Sequence, residues 1–190
     1  MMKPMSGRVV GVFGLPCSGK STLLKVVVES SRELLATISS GDFARELSTL
    51  ADTQYMAQGN LFPHEEKLRT KILDTVNKRK AGGAEIIFLD GFPRTADQIQ
   101  WMVENQLAGS EAEGCLVQIM GDKLLERAKE RHRDSQDAVE ALQAKIVKQR
   151  HEITLMDDLI HRMGIPYYMV MNYDLAIAAQ ILAKFVGLKK

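Results

Sequence analysis

At 190 residues, with 45% apolar and 26% charged side chains, the chain is long enough for one domain with a sizeable buried core. A formal net charge of +1 excludes a global basic field that would gather nucleic acid or a membrane surface, so an anion must be met by local clusters. Cys17 and Cys115 show no zinc-ligand spacing, the first residues lack the apolar core of a signal peptide, and no run reaches membrane-spanning length, so a reducing, cytoplasmic setting is expected.

Arg8–Phe13 is a short apolar, β-branched run that reads as a buried strand. It leads into Gly14-Leu-Pro-Cys-Ser-Gly-Lys-Ser-Thr22, which fits G-x-x-x-x-G-K-[ST] in full, and Lys20–Glu33 then reads as a helix. Strand, glycine turn and helix together aim backbone N–H groups at a helix N-terminus, where an anion is favoured. Gly14 and Gly19 supply unusual dihedrals and close approach to a ligand. Lys20 is expected to reach the β- and γ-phosphates of ATP, and the hydroxyl of Ser21 or Thr22 to serve Mg²⁺. Pro16, Cys17 and Ser18 complete the expected ATP-binding loop. Val26-Val27-Val28 is a poor local helix former, so burial must override it.

Leu34–Ile38 reads as the second strand. Ser39-Ser40-Gly41-Asp42 follows, with Asp42 placed to cap a helix over Phe43–Leu50. Arg45 in its first turn opposes the helix dipole, which points to a ligand. Residues 51–59 are polar with little periodicity and are expected to form a mobile excursion. Pro63 opens the next helix, whose buried face is Leu68, Ile72, Leu73 and Val76. Glu85–Asp90 reads as a central strand of a parallel sheet, and Asp90 at its carboxyl end is placed to hold a Mg²⁺-bound water.

Thr95-Ala-Asp-Gln98 is a capping box for a helix to about Leu107, with Trp101 packed on it. Gly114–Met120 is a fourth strand. A helix from Asp122 carries Arg127 and Arg131 on one face, with Arg133 beyond. After a break at 132–135, a long helix bears a stripe of Val139, Leu142, Ile146, Ile153, Met156, Ile160 and Met163. It is read as packing on its own sheet in preference to a coiled-coil seam. Ile165–Met171 is a fifth strand, and Asp174 caps the terminal helix through Val186. The order predicts an α/β fold with a five-stranded parallel sheet and helices on both faces.

Four stretches resemble the nucleoside monophosphate kinases, and among them the adenylate kinases most closely. They are the phosphate loop; Ser39-Ser-Gly-Asp-Phe-Ala-Arg45; Met56-Ala-Gln-Gly-Asn-Leu-Phe-Pro63; and Asp90-Gly-Phe-Pro-Arg-Thr95 with Gln98. The resemblance implies a P-loop NTPase-like three-layer core, one kinase domain over 1–190. It also implies two mobile parts, an acceptor-binding excursion over 40–77 and a short lid over 130–137. It implies reversible transfer of the γ-phosphoryl of MgATP to a nucleoside monophosphate, AMP foremost, by a monomer that binds neither nucleic acid nor membrane. Arg45 and Arg94 would hold the acceptor phosphate, while Ser40, Gly91, the Leu61-Phe62 backbone and Gln98 would form the rest of the acceptor site. Lys20, Arg94, Arg127, Arg131 and Arg133 would surround the moving phosphoryl group, a reaction that needs positioning and charge neutralisation above all.

The chain departs from the family at Ser21, where glycine usually follows the loop lysine, at Leu15 and Cys17, usually glycine, and at Phe62, usually valine. Its lid is reduced to Arg131-His-Arg-Asp-Ser-Gln-Asp137, with Lys145 or Arg150 left to stand for an arginine on the long helix. A UMP/CMP or deoxynucleoside monophosphate kinase, a nucleotide-binding regulator with weak transfer activity, and a kinase of a small acid are the alternatives.

Overall fold

The structure, a computed structural model, describes residues 7–31, 33–58, 60–110, 113–131 and 136–188. The elements are, in order, β1 (Arg8–Phe13), α1 (Lys20–Ser30), β2 (Leu35–Ser39), α2 (Ser40–Leu47), α3 (Leu50–Ala57), α4 (Glu65–Ala81) and β3 (Ile86–Asp90). They continue with α5 (Ala96–Glu104), β4 (Gly114–Met120), α6 (Leu124–Arg131), α7 (Gln136–Met163), β5 (Tyr167–Met171) and α8 (Leu175–Phe185). The strands form one sheet in the order β2-β3-β1-β4-β5, with every pairing parallel. The expected five-stranded parallel α/β fold is therefore what the chain adopts.

The chain leaves β1 toward one edge for β2 and β3, then crosses to the other side for β4 and β5. That reversal opens a crevice beyond the carboxyl end of β1. Register places Asp90 beside both Val12 and Ser39, so the ends of β1, β2 and β3 meet there.

The pleat of β1 divides the core between the two faces of the sheet. Val9 and Phe13 join Ile72, Ile99, Met156 and Ile160 on one face. Val10 and Val12 join Leu23, Leu24, Val27 and Leu182 on the other. Burying Leu23, Leu24 and Val27 contributes about 1.5–3 kcal/mol each. The helix-propensity deficit of a valine is about 0.5 kcal/mol, so α1 stays helical through the valine run.

Two local expectations are corrected. Ser39, not Asp42, caps α2: its side chain accepts from the Asp42 N–H, and the helix starts directly at the end of β2. Residues 51–57, expected as an irregular excursion, lie in α3, closed by a reciprocal Thr49–Asp52 capping box. The stripe on α7 divides along its length. Ile160 packs in the sheet-side core, Ile153 and Met156 both join that core and wall a cavity, and Leu142 walls it further along beside Lys145 and Gln149. Met163 is exposed. Among the described residues no helix is long and apolar enough to cross a membrane.

Candidate active site

The turn between β1 and α1 is built around backbone that side chains tolerate poorly. Gly14 (φ 140°) lies where a Cβ would overlap the Ile119 carbonyl, and Gly19 (φ 85°) where one would overlap the Asn172 side chain. Cys17, which stands where relatives of this motif usually carry glycine, adopts φ 62°. Left-handed backbone at a residue with a Cβ costs about 1 kcal/mol or more. No side chain caps α1 and no acid occupies its first turn, so its leading N–H groups face the cavity without a protein anion.

Lys20 Nζ donates to the carbonyls of Gly14 (2.8 Å) and Leu15 (2.9 Å), while Ser18 Oγ lies 3.4 Å away. Burial, aided by the charge of Arg94 and opposed by Asp90, pushes its pKa down to about 8. Ser21 Oγ donates to Asp90 Oδ2 at 2.5 Å. The loop is braced from β5: Asn172 Nδ2 donates to Ser18 O (2.8 Å), and Asn172 itself is buried. Arg127 on α6 binds Asp122 (2.9 Å) and approaches Cys17 O (3.4 Å).

A cavity of about 760 Å³ runs from this loop across the ends of β3 and β2. It brings together Gly14, Pro16, Cys17, Gly19, Lys20, Ser21 and Thr22 with Arg45, Asp90, Gly91, Arg94 and Arg127. Ser18 lies beneath the loop, fully buried. A second pocket of about 30 Å³ adjoins, where Ser40, Leu61, Phe62 and Gln98 meet Gly91 and Arg94. Ser40 Oγ donates to Gly91 O (2.8 Å), and Arg94 Nε to the same carbonyl (2.7 Å). Gln98 makes half of the expected capping box: its N–H binds Thr95 Oγ1 (3.2 Å), but its Oε1 takes the N–H of Arg94 (2.6 Å). Arg131 belongs to α6, and Arg133 lies outside the described residues, as does half of the expected lid.

Arg45 is exposed and paired with Asp42. It remains close to Arg94: a Cβ on Gly41 would stand 3.5 Å from Arg45 Nη1 and 3.8 Å from Arg94 Nη2. Lys145 of α7 borders both cavities. Burial, then the charges of Arg94 and Arg45, lowers its pKa, and burial likewise lowers that of Arg94. Among the described residues no carboxylate forms an ion pair with Lys20, Arg94 or Lys145. Crowded cations, of which Lys20, Arg94 and Lys145 have no ion-paired carboxylate among the described residues, suit a polyanion. Lys148 Nζ, one turn further along α7, reaches Asn60 Oδ1 (2.8 Å) across the cleft.

Asn172, Tyr173 and Leu175, all bordering the large cavity, were not singled out from sequence. Asn172 directly follows β5 as Asp90 ends β3, so a check of each polar residue at a strand's carboxyl end would have found it.

A glycine-turned phosphate loop at the switch point of an all-parallel sheet, with its lysine and a strand-end acid in place, defines a P-loop nucleotide-binding protein. A family profile described as an AAA domain matches residues 13–143, and the chain belongs to that family. It is similar to the adenylate kinase of Helicobacter pylori (strain ATCC 700392 / 26695), 34% identical over 95 residues, 47% of this chain and 48% of that protein. It is also similar to the adenylate kinase of Mesomycoplasma hyopneumoniae (strain 7448), 33% identical over 110 residues, 53% of this chain and 48% of that protein. The adenylate kinase of a Nitratiruptor species is 31% identical over 98 residues, 47% of each chain. The chain spans about half the length of the curated relatives it matches. These relatives bear out the resemblance read from the sequence.

Proposed function

We propose that the protein transfers the γ-phosphoryl group of MgATP reversibly to a nucleoside monophosphate, with AMP giving two molecules of ADP. The observation that carries this reading is the line of cations Lys20, Arg94, Arg45 and Lys145 around one cavity, running from a phosphate loop to the ends of β3 and β2. Its volume of about 760 Å³ falls within the range of nucleotide-sized sites. The similarity to proteins named adenylate kinase supports the same reaction class.

The donor β- and γ-phosphates are assigned to the α1 N-terminus and Lys20, with Arg127 beside the loop. The acceptor phosphate is assigned to Arg45 and Arg94, and its base to the pocket of Ser40, Leu61, Phe62 and Gln98. Lys20, Arg94 and Lys145, with Arg131 and Arg133 from the lid, neutralise charge between donor and acceptor. The hydroxyl of Ser21 and the carboxylate of Asp90 are hard oxygen donors side by side that would hold Mg²⁺, Asp90 through a bound water. When bound, the ion supplies charge neutralisation at the phosphate oxygens. The segments 40–77 and 130–137 are read as the parts that close over acceptor and donor and exclude water. The enzyme is read as a cytoplasmic monomer with Cys17 and Cys115 outside any disulfide.

One observation favours a second reading. Phe62 and its neighbours leave only about 30 Å³ in the base pocket, room for about one water. A pyrimidine acceptor needs less space than adenine. A coupled assay offering AMP, UMP, CMP, GMP and dAMP separates the two; AMP is expected to give the highest kcat/KM. Equal rates for all five remove the adenylate assignment, and binding of ATP and AMP without ADP formation makes the protein a regulator.

The lowered pKa of Lys20 gives the reaction a pH limit. The free protein loses its ammonium as pH rises through about 8, so kcat/KM for ATP should fall above that pH. Stability moves oppositely. Burying the charge costs stability below about pH 8, and the cost is relieved as pH climbs toward the ordinary lysine value of 10.5, because the unfolded chain then holds the extra proton. A pH–rate profile flat well above pH 9 would remove the charged lysine from the phosphate site.

A further inference from the structure

We propose that Arg69 is a positioning residue for acceptor recognition, acting through Glu65 on the side-chain amide of Gln98; the inference rests on the acceptor reading above. Arg69 lies on α4 with 11% of its side chain exposed, its guanidinium 5.8 Å from the centre of the Trp101 ring. Its Nη2 pairs with the exposed carboxylate of Asp97 on α5, and its Nε donates to Glu65 Oε1 at 2.8 Å. The same Glu65 oxygen accepts from Gln98 Nε2 at 3.0 Å. The other end of that amide, Oε1, accepts the backbone N–H of Arg94 at 2.6 Å. Four side chains thus run unbroken from the surface to the acceptor arginine.

The polarity of this chain matters more than its length. An amide turned by 180° would set its NH₂ against the Arg94 N–H and its oxygen against the Glu65 carboxylate, so only one orientation is satisfied. Gln98, 3% exposed, offers the pocket its second N–H and second lone pair in a fixed order. A base whose edge reads donor–acceptor, such as adenine at N6 and N1, is then distinguished from one whose edge reads acceptor–donor, such as hypoxanthine at O6 and N1. Arg69 holds the Glu65 carboxylate aimed at Gln98. Burial opposes its own charge, but the bonds to Glu65 and Asp97 outweigh that and raise its pKa.

The test compares the wild type with R69M, R69K and D97N, measuring KM and kcat for ATP, AMP and inosine monophosphate beside thermal unfolding. R69M is expected to raise the KM for AMP about tenfold, to leave the KM for ATP unchanged, and to narrow the preference between AMP and inosine monophosphate. R69K keeps the charge without the two-armed fork and should restore part of the KM. Unchanged acceptor kinetics in R69M, or both KM values rising together with a loss of stability, overturns the positioning role. A wild type that transfers to no nucleoside monophosphate overturns the function and the relay together. Should R69M fail to fold, D97N, altered at the exposed end, decides alone: a rise confined to the acceptor KM supports the relay, and any other result overturns it.

Discussion

Replacing Lys20 with alanine lowers turnover by about a thousandfold or more and leaves the fold standing. The ammonium sits at the mouth of α1, bonded to the carbonyls of Gly14 and Leu15, and no other described cation stands inside the loop. Its loss would remove the charge assigned to the β- and γ-phosphates, and a neighbouring arginine on a different element would not replace it. The fold tolerates the change because a desolvated charge is being removed, one already uncomfortable enough to lower its pKa to about 8. Two measurements check this. ADP formation should vanish into the assay background, while the unfolding midpoint without ligand stays near that of the wild type. Saturating MgATP, which stabilises the wild type by about 2.7 kcal/mol at a hundredfold excess over Kd, should lose most of that effect. Turnover within tenfold of the wild type would refute the donor assignment.

Arg94 is the second position of large effect, and it fails differently. Its Nε is fixed by Gly91 O, its backbone N–H by Gln98, and an Nη is turned toward Gly41 and Arg45. R94A should lower kcat/KM for the acceptor by about 10³, with a much smaller change in the KM for ATP. R94K should recover little, because an ammonium cannot hold Gly91 O and grip a phosphate with a planar fork at once. The same substitution to alanine has a remote signature. Arg94 is the largest charge effect lowering the pKa of Lys20, so the alkaline limit of ATP binding in R94A should move to higher pH. Equal losses on the donor and acceptor sides would show that Arg94 supports the fold of the site without selecting the acceptor.

Much of the fold could be read locally. The apolar run of β1, the glycine turn and the acid ending β3 are short-range signals, and each fell where read. Helix α3 was illegible for a physical reason: Leu50 is 78% exposed and Tyr55 also faces solvent, so the segment has no apolar stripe. Its caps hold it instead, through Thr49 and Asp52, with Asn60 Nδ2 closing on Tyr55 O. The start of α2 was read at Asp42, three residues late, because only the end of β2 makes Ser39 the cap. In the candidate site, Arg45 carried one local signal, a cation opposing the dipole of its own helix, whereas Arg94 came from resemblance alone. Lys145 carries no local signal, because what distinguishes it from Lys148 is proximity to residues some fifty and a hundred positions away. The Glu65–Arg69 pair is visible as an i, i+4 spacing, but Asp97 joins it only in three dimensions.

The geometry of α7 turns it into a lever. At 1.5 Å per residue its 28 residues span about 42 Å. Met156 and Ile160 are its most deeply buried residues, and Lys145 lies about 16 Å and Gln136 about 30 Å along the axis from Met156. A rotation of about ten degrees would carry the lysine by about 3 Å and the first turn by about 5 Å. That is the difference between touching a phosphate oxygen and missing it. On the proposed function a small swing of this helix would shift Lys145 against a phosphate, and the Lys148–Asn60 bond ties the same stretch to the segment before α4.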